Sequence, residues 1–389
     1  MKTCAAWAGV LLLVVILWML DRGRQVVPTV PPVNNATGTL ALATVNHQAT
    51  VPACLAPLHL PGPFFYPGRA FDTPTGVEDP DRAACRPATP LFIPFASNAC
   101  LLVQTVVSFI SEGWPPSQII VVENTGRSDE NARGTIPPED HAFMNYTLLC
   151  QTLGVHVYRS PVRNTFAQVQ NLVFELAKTN GWPSYYQSHQ DVVVRSRDDV
   201  RSFYDHVLEE DEDRRRNADS ERWALVLYRY DWLSHVRVAA TAEVGPWDVL
   251  IPWYPSDCDY YARVRAKGFQ ILDFDAGVIH DVASCLSDLS LLFRPKNSSG
   301  GQVVDTALRI MADTKRNDKA GRNTWQGRQA DGTLSSDFGP RYDALVKASR
   351  KSYYMKWGTN RCDPTAPRSF FPWWKGHALG SFLQRSALE

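Results

Sequence analysis

Residues 91–126, LFIPFASNACLLVQTVVSFISEGWPPSQIIVVENTG, constrain this 389-residue chain more than any other stretch. A short apolar run gives way to an amphipathic stretch, a Trp-Pro-Pro break, and a second apolar run ending at Glu123-Asn124-Thr125-Gly126. Two runs of strand length separated by a helical period open a parallel βαβ unit, because parallel strands need a crossover that packs on the sheet. The pattern then repeats. Residues 155–158 read as a third strand, 166–178 as a helix with apolar spacing through Val169, Leu172, Val173 and Leu176, stopped by Asn180-Gly181. Residues 184–194 read as a strand interrupted by His189-Gln190-Asp191, 223–228 as another, 245–248 as a turn, 259–267 as a helix closed by Gly268, and 269–279 as a strand reaching His280-Asp281. The expected fold is α/β, with a Rossmann-like, mostly parallel central sheet and flanking helices. The charged segment 209–221, acidic and then basic at Arg214-Arg215-Arg216, reads as a solvated helix face or surface loop.

The flanks differ in texture. Residues 5–20, AAWAGVLLLVVILWML, form an unbroken apolar run between Lys2 and the charged Asp21, Arg22 and Arg24. The run is short of the roughly 20 residues an average bilayer needs but suits a thinner membrane of the early secretory pathway. No small-x-small cleavage site follows, so an uncleaved transmembrane signal-anchor is expected, with residues 1–4 as a cytoplasmic tail. Asn-x-Ser/Thr tripeptides at Asn35, Asn145 and Asn297 lie beyond it, and use of any one would make the body lumenal, in the Golgi or endoplasmic reticulum. Residues 21–90, rich in Pro, Thr, Ala and Gly, read as a stem in which Cys54 and Cys85 could close a loop. A catalytic domain over 91–295 and a C-terminal extension over 296–389 packing on it complete the organisation. Of the 8 cysteines only Cys4 precedes the anchor, and spacing leaves open both the pairing of the others and whether each is simply a small buried hydrophobe. Forty basic residues balance forty acidic ones, and no basic patch carries interleaved aromatics, which argues against a nucleic-acid partner.

Ligands of open α/β sheets bind at the carboxyl ends of the strands, where this sequence places its polar residues. Glu123-Asn124 ends one strand, His189-Gln190-Asp191 another and His280-Asp281 a third. Two imidazoles and a carboxylate, His189, Asp191 and His280, suit Mn²⁺ or a similar divalent ion such as Mg²⁺, although each histidine alone also reads as a structural residue. Ser256-Asp257-Cys258-Asp259 opens a helix. Carboxylates there are stabilised by the helix macrodipole, so capping competes with a role at a ligand.

The order of Ile119-Ile120-Val121-Val122-Glu123-Asn124, Ala167-Gln168-Val169-Gln170-Asn171, His189-Gln190-Asp191, and Asp257-Cys258-Asp259 with Arg263 and Gly268 resembles GT-A-fold glycosyltransferases similar to the family-2 group. The resemblance implies that Glu123, with Asn124, Asn171 and Gln190, binds the nucleotide-sugar donor, that the metal motif falls on His189-Gln190-Asp191, and that His280 is a further ligand. It also implies that Asp257 is the catalytic base of an inverting transfer from a UDP- or GDP-sugar to a glycan, glycoprotein or glycolipid hydroxyl. The Tyr353 to Gly358 segment resembles an aromatic, lysine-containing element of some members, making Lys356 a phosphate partner; Asp259 and Arg263 read as a structural pair. His189 stands where the motif has aspartate, and Ser256 where glutamate usually precedes the base. A glycoside hydrolase, which also needs paired carboxylates, and a non-catalytic lectin-like domain are the alternatives.

Overall fold

The computed structural model describes residues 89–216, 222–294, 296–318, 326, 336 and 338–361. The expected anchor, nearly all of the stem, the Asn35 tripeptide, and Cys4, Cys54, Cys85 and Cys362 lie outside the described residues. Among the described residues no helix is long and apolar enough to cross a membrane. The chain divides into two units. The first, Met1–Pro57, Gly68–Arg86 and Asp288–Ser290, is described only at Asp288–Ser290, where the Ser290 amide donates to Asp288 Oδ1 at 2.9 Å. The second, Leu58–Pro67, Pro87–Ser287 and Leu291–Glu389, holds everything that follows.

In chain order the elements are β1 (Leu91–Phe95), α1 (Ala99–Ser111), β2 (Ile119–Glu123), α2 (Ser128–Ala132), β3 (His156–Arg159), α3 (Phe166–Thr179), β4 (Ser184–Ser188), β5 (Val192–Ser196) and α4 (Phe203–Arg216). They continue with β6 (Trp223–Leu227), β7 (Leu233–Arg237), α5 (Val238–Val244), α6 (Ser256–Ala266), β8 (Gln270–Asp273), β9 (Gly277–Asp281), α7 (Ser299–Arg316) and α8 (Phe338–Trp357). Seven strands form one sheet in the order β3-β2-β1-β4-β7-β6-β8, and β5 pairs with β9 in a second, antiparallel sheet. Only β7 runs against its neighbours in the large sheet, so the mostly parallel α/β architecture expected from the sequence is the one observed. The carboxyl ends of β1, β2, β4, β6 and β8 consequently share one edge.

Strands β1 and β2 are apolar along their length because helices cover both sheet faces. On one face Phe92, Ile120, Val122, Tyr185 and Leu225 meet Leu172, Val173 and Leu176 of α3 and Tyr260, Tyr261 and Val264 of α6. On the other, Tyr186 packs edge-on to Trp114, which in turn packs edge-on to Phe109 of α1. Helix α3 begins at a capping box: Thr165 accepts from the Gln168 amide, while the Thr165 amide donates to Gln168 Oε1 at 2.8 Å. Cys100 of α1 is disulfide-bonded to Cys285 beyond β9, Cys258 is also disulfide-bonded, and Cys150 is free and exposed.

Three sequence expectations need correction. The stretch 184–194 is two strands in different sheets, turning at His189-Gln190-Asp191. The stretch 269–279 is likewise two strands, because Gly277 takes a φ of 147° and lets β9 leave the large sheet to lie against β5. A β-carbon at Gly277 would collide with the Arg195 carbonyl oxygen and lie 3.0 Å from the Phe203 ring. The charged segment 209–221 is helical as far as Arg216 and not wholly solvated, since buried Asp211 pairs with half-buried Arg214, which lies over the Trp223 ring and against His235.

Candidate active site

At the shared edge of the strand ends lies a cleft of about 200 Å³. Its floor is set by side-chain amides. The Ala96 amide donates to Gln190 Oε1 at 2.8 Å and Gln190 Nε2 donates to the Ser97 carbonyl, tying the end of β4 to the end of β1. Thr105 of α1 donates to the Gln190 carbonyl at 2.6 Å. Asn124 at the end of β2 donates to the Asn164 carbonyl at 2.9 Å and accepts from the Asn164 amide at 2.6 Å, fixing the loop that enters α3. Asn124 and Gln190 therefore line the cleft, as the sequence led one to expect, but their amide groups are already committed to the backbone.

The opposite wall is a tight hairpin between β6 and β7 that the sequence reading missed. The Tyr228 amide donates to the Leu233 carbonyl at 3.0 Å, and Tyr230 at the tip has a left-handed φ of 53°. The tip is seated on the end of β4, where the His189 amide and the Ser188 hydroxyl both donate to the Trp232 carbonyl, at 3.2 and 3.1 Å. This hairpin brings Tyr230, Asp231 and Trp232 into the cleft together with Phe166, Trp253 and Tyr254, so aromatic rings flank a polar floor. Tyr230 donates its hydroxyl to Asp257 Oδ2 at 2.9 Å, positioning that buried carboxylate at the start of α6.

Asp231 is the carboxylate with the most perturbed environment. Burial, with the charge of Asp257 adding and that of His189 opposing, pushes it from 3.8 up to about 6. Its Oδ1 is buried and has no hydrogen-bond partner among the described residues. Unspent acceptors are uncommon in folded interiors and mark places where a ligand or catalytic proton completes the bonding. The sequence clue was a single acidic residue in the Tyr-Arg-Tyr-Asp-Trp run just beyond a strand, and the surrounding aromatics concealed the turn.

The three expected metal ligands do not converge. His189 and Asp191 line the cleft, but His280 lines a neighbouring cavity of about 600 Å³ and not the cleft. There burial lowers its pKa, against the opposing charges of Asp305 and Asp313. Its neighbour along the strand, Asp281, does reach the cleft and borders both cavities. Asp191 Oδ2 and Asp281 Oδ1 each accept from Lys315 Nζ of α7 at 2.5 Å, and the Val282 carbonyl accepts from the same ammonium at 3.3 Å. Burial and the Asp191 charge raise the Asp281 pKa, while the two carboxylates outweigh burial and raise that of Lys315. Among the described residues no set of three His, Cys, Asp or Glu side chains is arranged to hold a metal ion. The donor set therefore does not fit a resident divalent ion, because its two carboxylates are already bridged by an ammonium.

The remaining expected site residues lie outside the cleft lining. Glu123 is fully buried and accepts from Thr125 at 2.9 Å, from Asn131 at 2.7 Å and from the Tyr146 hydroxyl. Asn171 donates to the Trp247 carbonyl at 3.0 Å and accepts from the Trp247 amide at 2.7 Å. Lys356 pairs with Asp248 at 2.7 Å and Asp259 at 2.8 Å, while Asp259 also accepts from Trp357 at 2.7 Å and pairs with Arg263 at 3.0 Å. Each serves as a support in these positions: Glu123 for the turn after β2, Asn171 for the α3 packing, and Lys356 for docking α8 on α6. Of the Asn-x-Ser/Thr asparagines, Asn145 and Asn297 are exposed.

Neither a family model nor a curated protein sequence matches the chain. Among solved structures, it is similar to the mannosyltransferase PcManGT from Pyrobaculum calidifontis in complex with GDP-Man and Mn²⁺, at 10% identity over 78% of this chain and 80% of that one, with a TM-score of 0.34. A cytidylyltransferase from Leptospira borgpetersenii is matched at 10% identity over 58% and 97% of the two chains, and S. aureus TarS at 9% over 70% and 56%, both with a TM-score of 0.34.

Proposed function

We propose that this chain is a GT-A-type glycosyltransferase that moves a sugar from a UDP- or GDP-sugar to a hydroxyl of a glycan, glycoprotein or glycolipid. The observation that carries the reading is the pair Asp231 and Asp257, brought together in an aromatic-lined cleft at the carboxyl ends of a mostly parallel sheet. Aromatic faces suit a nucleobase and the apolar faces of sugar rings. In the reaction, Asp257 accepts the proton of the acceptor hydroxyl as that oxygen attacks the anomeric carbon. The bond from that carbon to the diphosphate breaks, and the nucleoside diphosphate leaves with the bonding pair. A single displacement of this kind inverts the anomeric configuration.

Asp257 is oriented for this role by the Tyr230 hydroxyl and stands in the first turn of α6. Arg163 and Lys315 bring positive charge to the cleft lining. The anchor over 5–20 and a lumenal Golgi or endoplasmic reticulum location belong to the same proposal and rest on the sequence alone.

The test is a screen of sugar nucleotides, with and without Mn²⁺, that reads released nucleoside diphosphate. Turnover with one of them, lost in Asp257→Asn, is the expected result; absence of release with every donor ends the proposal. The same two carboxylates favour a glycoside hydrolase as the second reading. A hydrolase has no use for a nucleotide, so stabilisation of the protein by UDP or GDP separates the two.

A further inference from the structure

The buried face of α7 is a stripe of Gly301, Val304, Leu308, Ala312 and Lys315, each three or four residues from the last. Helical phase alone therefore aims Lys315 inward with the apolar residues. Lysine is almost never fully buried without a partner, yet Lys315 is only 3% exposed. Its ammonium ends between Asp191 Oδ2 and Asp281 Oδ1, at 2.5 Å from each, with the Val282 carbonyl as third acceptor at 3.3 Å. Two carboxylate oxygens and a carbonyl around one point are the hard-oxygen surroundings that Mg²⁺ or Mn²⁺ takes at about 2.0–2.2 Å. An ammonium and a divalent ion cannot both stand there.

We propose that Lys315 is the resident cation of this cleft: a tethered ammonium that fills the place between Asp191 and Asp281, excludes a divalent ion from it, and leaves ligand binding in the cleft independent of metal. A cation supplied by the chain is always present and cannot be removed by a chelator. It also fixes the position of Asp191 and hence of the His189-Gln190-Asp191 turn. Lys315 is a positioning residue in this scheme. The consequence for donor binding rests on the functional reading above, whereas the exclusion of a divalent ion does not.

The experiment uses the full chain, stripped with a chelator, and Mn²⁺ alone as probe, followed by electron paramagnetic resonance and thermal melting. The wild type should show no saturable Mn²⁺ binding and an unchanged Tm. Lys315→Ala leaves two buried carboxylates facing a vacated space, so it should gain one saturable Mn²⁺ site and a metal-dependent rise in Tm of roughly 5 °C or more at concentrations well above Kd. That gain should vanish again in Lys315→Ala/Asp281→Asn. A folded Lys315→Ala protein indifferent to Mn²⁺ overturns the proposal, as does saturable wild-type binding that Asp281→Asn abolishes; the latter decides the matter even where Lys315→Ala does not fold. UDP and GDP binding measured in chelator is a separate arm: if neither binds while Lys315→Ala still gains Mn²⁺, the donor reading fails and the cation assignment stands.

Discussion

Two aspartates line one cleft in different surroundings. Asp257 lies in the first turn of a helix and accepts from a tyrosine hydroxyl at 2.9 Å. Asn at that position keeps the shape and removes the basicity, so Asp257→Asn should lower kcat by about 10²–10⁴-fold with little change in KM, read by nucleotide release. Asp231 is buried with its Oδ1 unpartnered among the described residues. Its native pKa of about 6 lies above the ordinary 3.8, so between those values the folded chain binds more protons than the unfolded one, and stability falls as pH rises through that window. Asp231→Asn should therefore raise stability above pH 6 by on the order of 1–2 kcal/mol and leave it unchanged near pH 4, as followed by Tm against pH. The two were not equally legible. Asp257 announced itself through a motif at a predicted helix start, whereas the meaning of Asp231 comes from burial by side chains distant in sequence. His280 failed as an expected ligand for a related reason: the pattern predicted its strand, but which face it presents depends on how β9 pairs with β5.

Among the elements, those whose period and termini agree were the readable ones. Helix α3 ended where Asn180-Gly181 said it should, and β1 and β2 followed their apolar runs. The failures share a cause, in that a bend or turn was built from residues that do not look like turn residues. Tyr230 and Trp232 hide the β6–β7 hairpin, and Phe274 and Ala276 hide the break between β8 and β9. Gly277 is the one plain signal in that break. Alanine there combines an unfavourable φ with a collision against the β5 backbone, so Gly277→Ala should cost about 2–4 kcal/mol and loosen the β5–β9 sheet, seen as faster amide exchange at Val193 and His280.

For the whole molecule, α7 and α8 are parts of one functional body with the sheet: α7 delivers Lys315 to the cleft and α8 fixes Asp259 through Lys356 and Trp357. Sequence order concealed this, since Lys315, 124 residues from Asp191 in the chain, gives no local sign of its partner. The Cys100–Cys285 bond, across a separation of 185 residues, ties the first helix of the sheet to the segment leaving β9. Closing so long a loop restricts the unfolded chain, and Cys100→Ala/Cys285→Ala should lower stability by roughly 3–5 kcal/mol, measured by chemical denaturation under oxidising conditions.

The amide clamps beneath the cleft carry a last consequence. Gln190 holds two strand ends at a fixed spacing, and Asn124 pins the loop beside them, so nothing in the floor can spread without breaking internal bonds. Such a surface behaves as a die rather than a glove. Compounds will be sorted by how nearly their resting shape already matches it, and stiff, preshaped analogues should outbind flexible ones of the same composition.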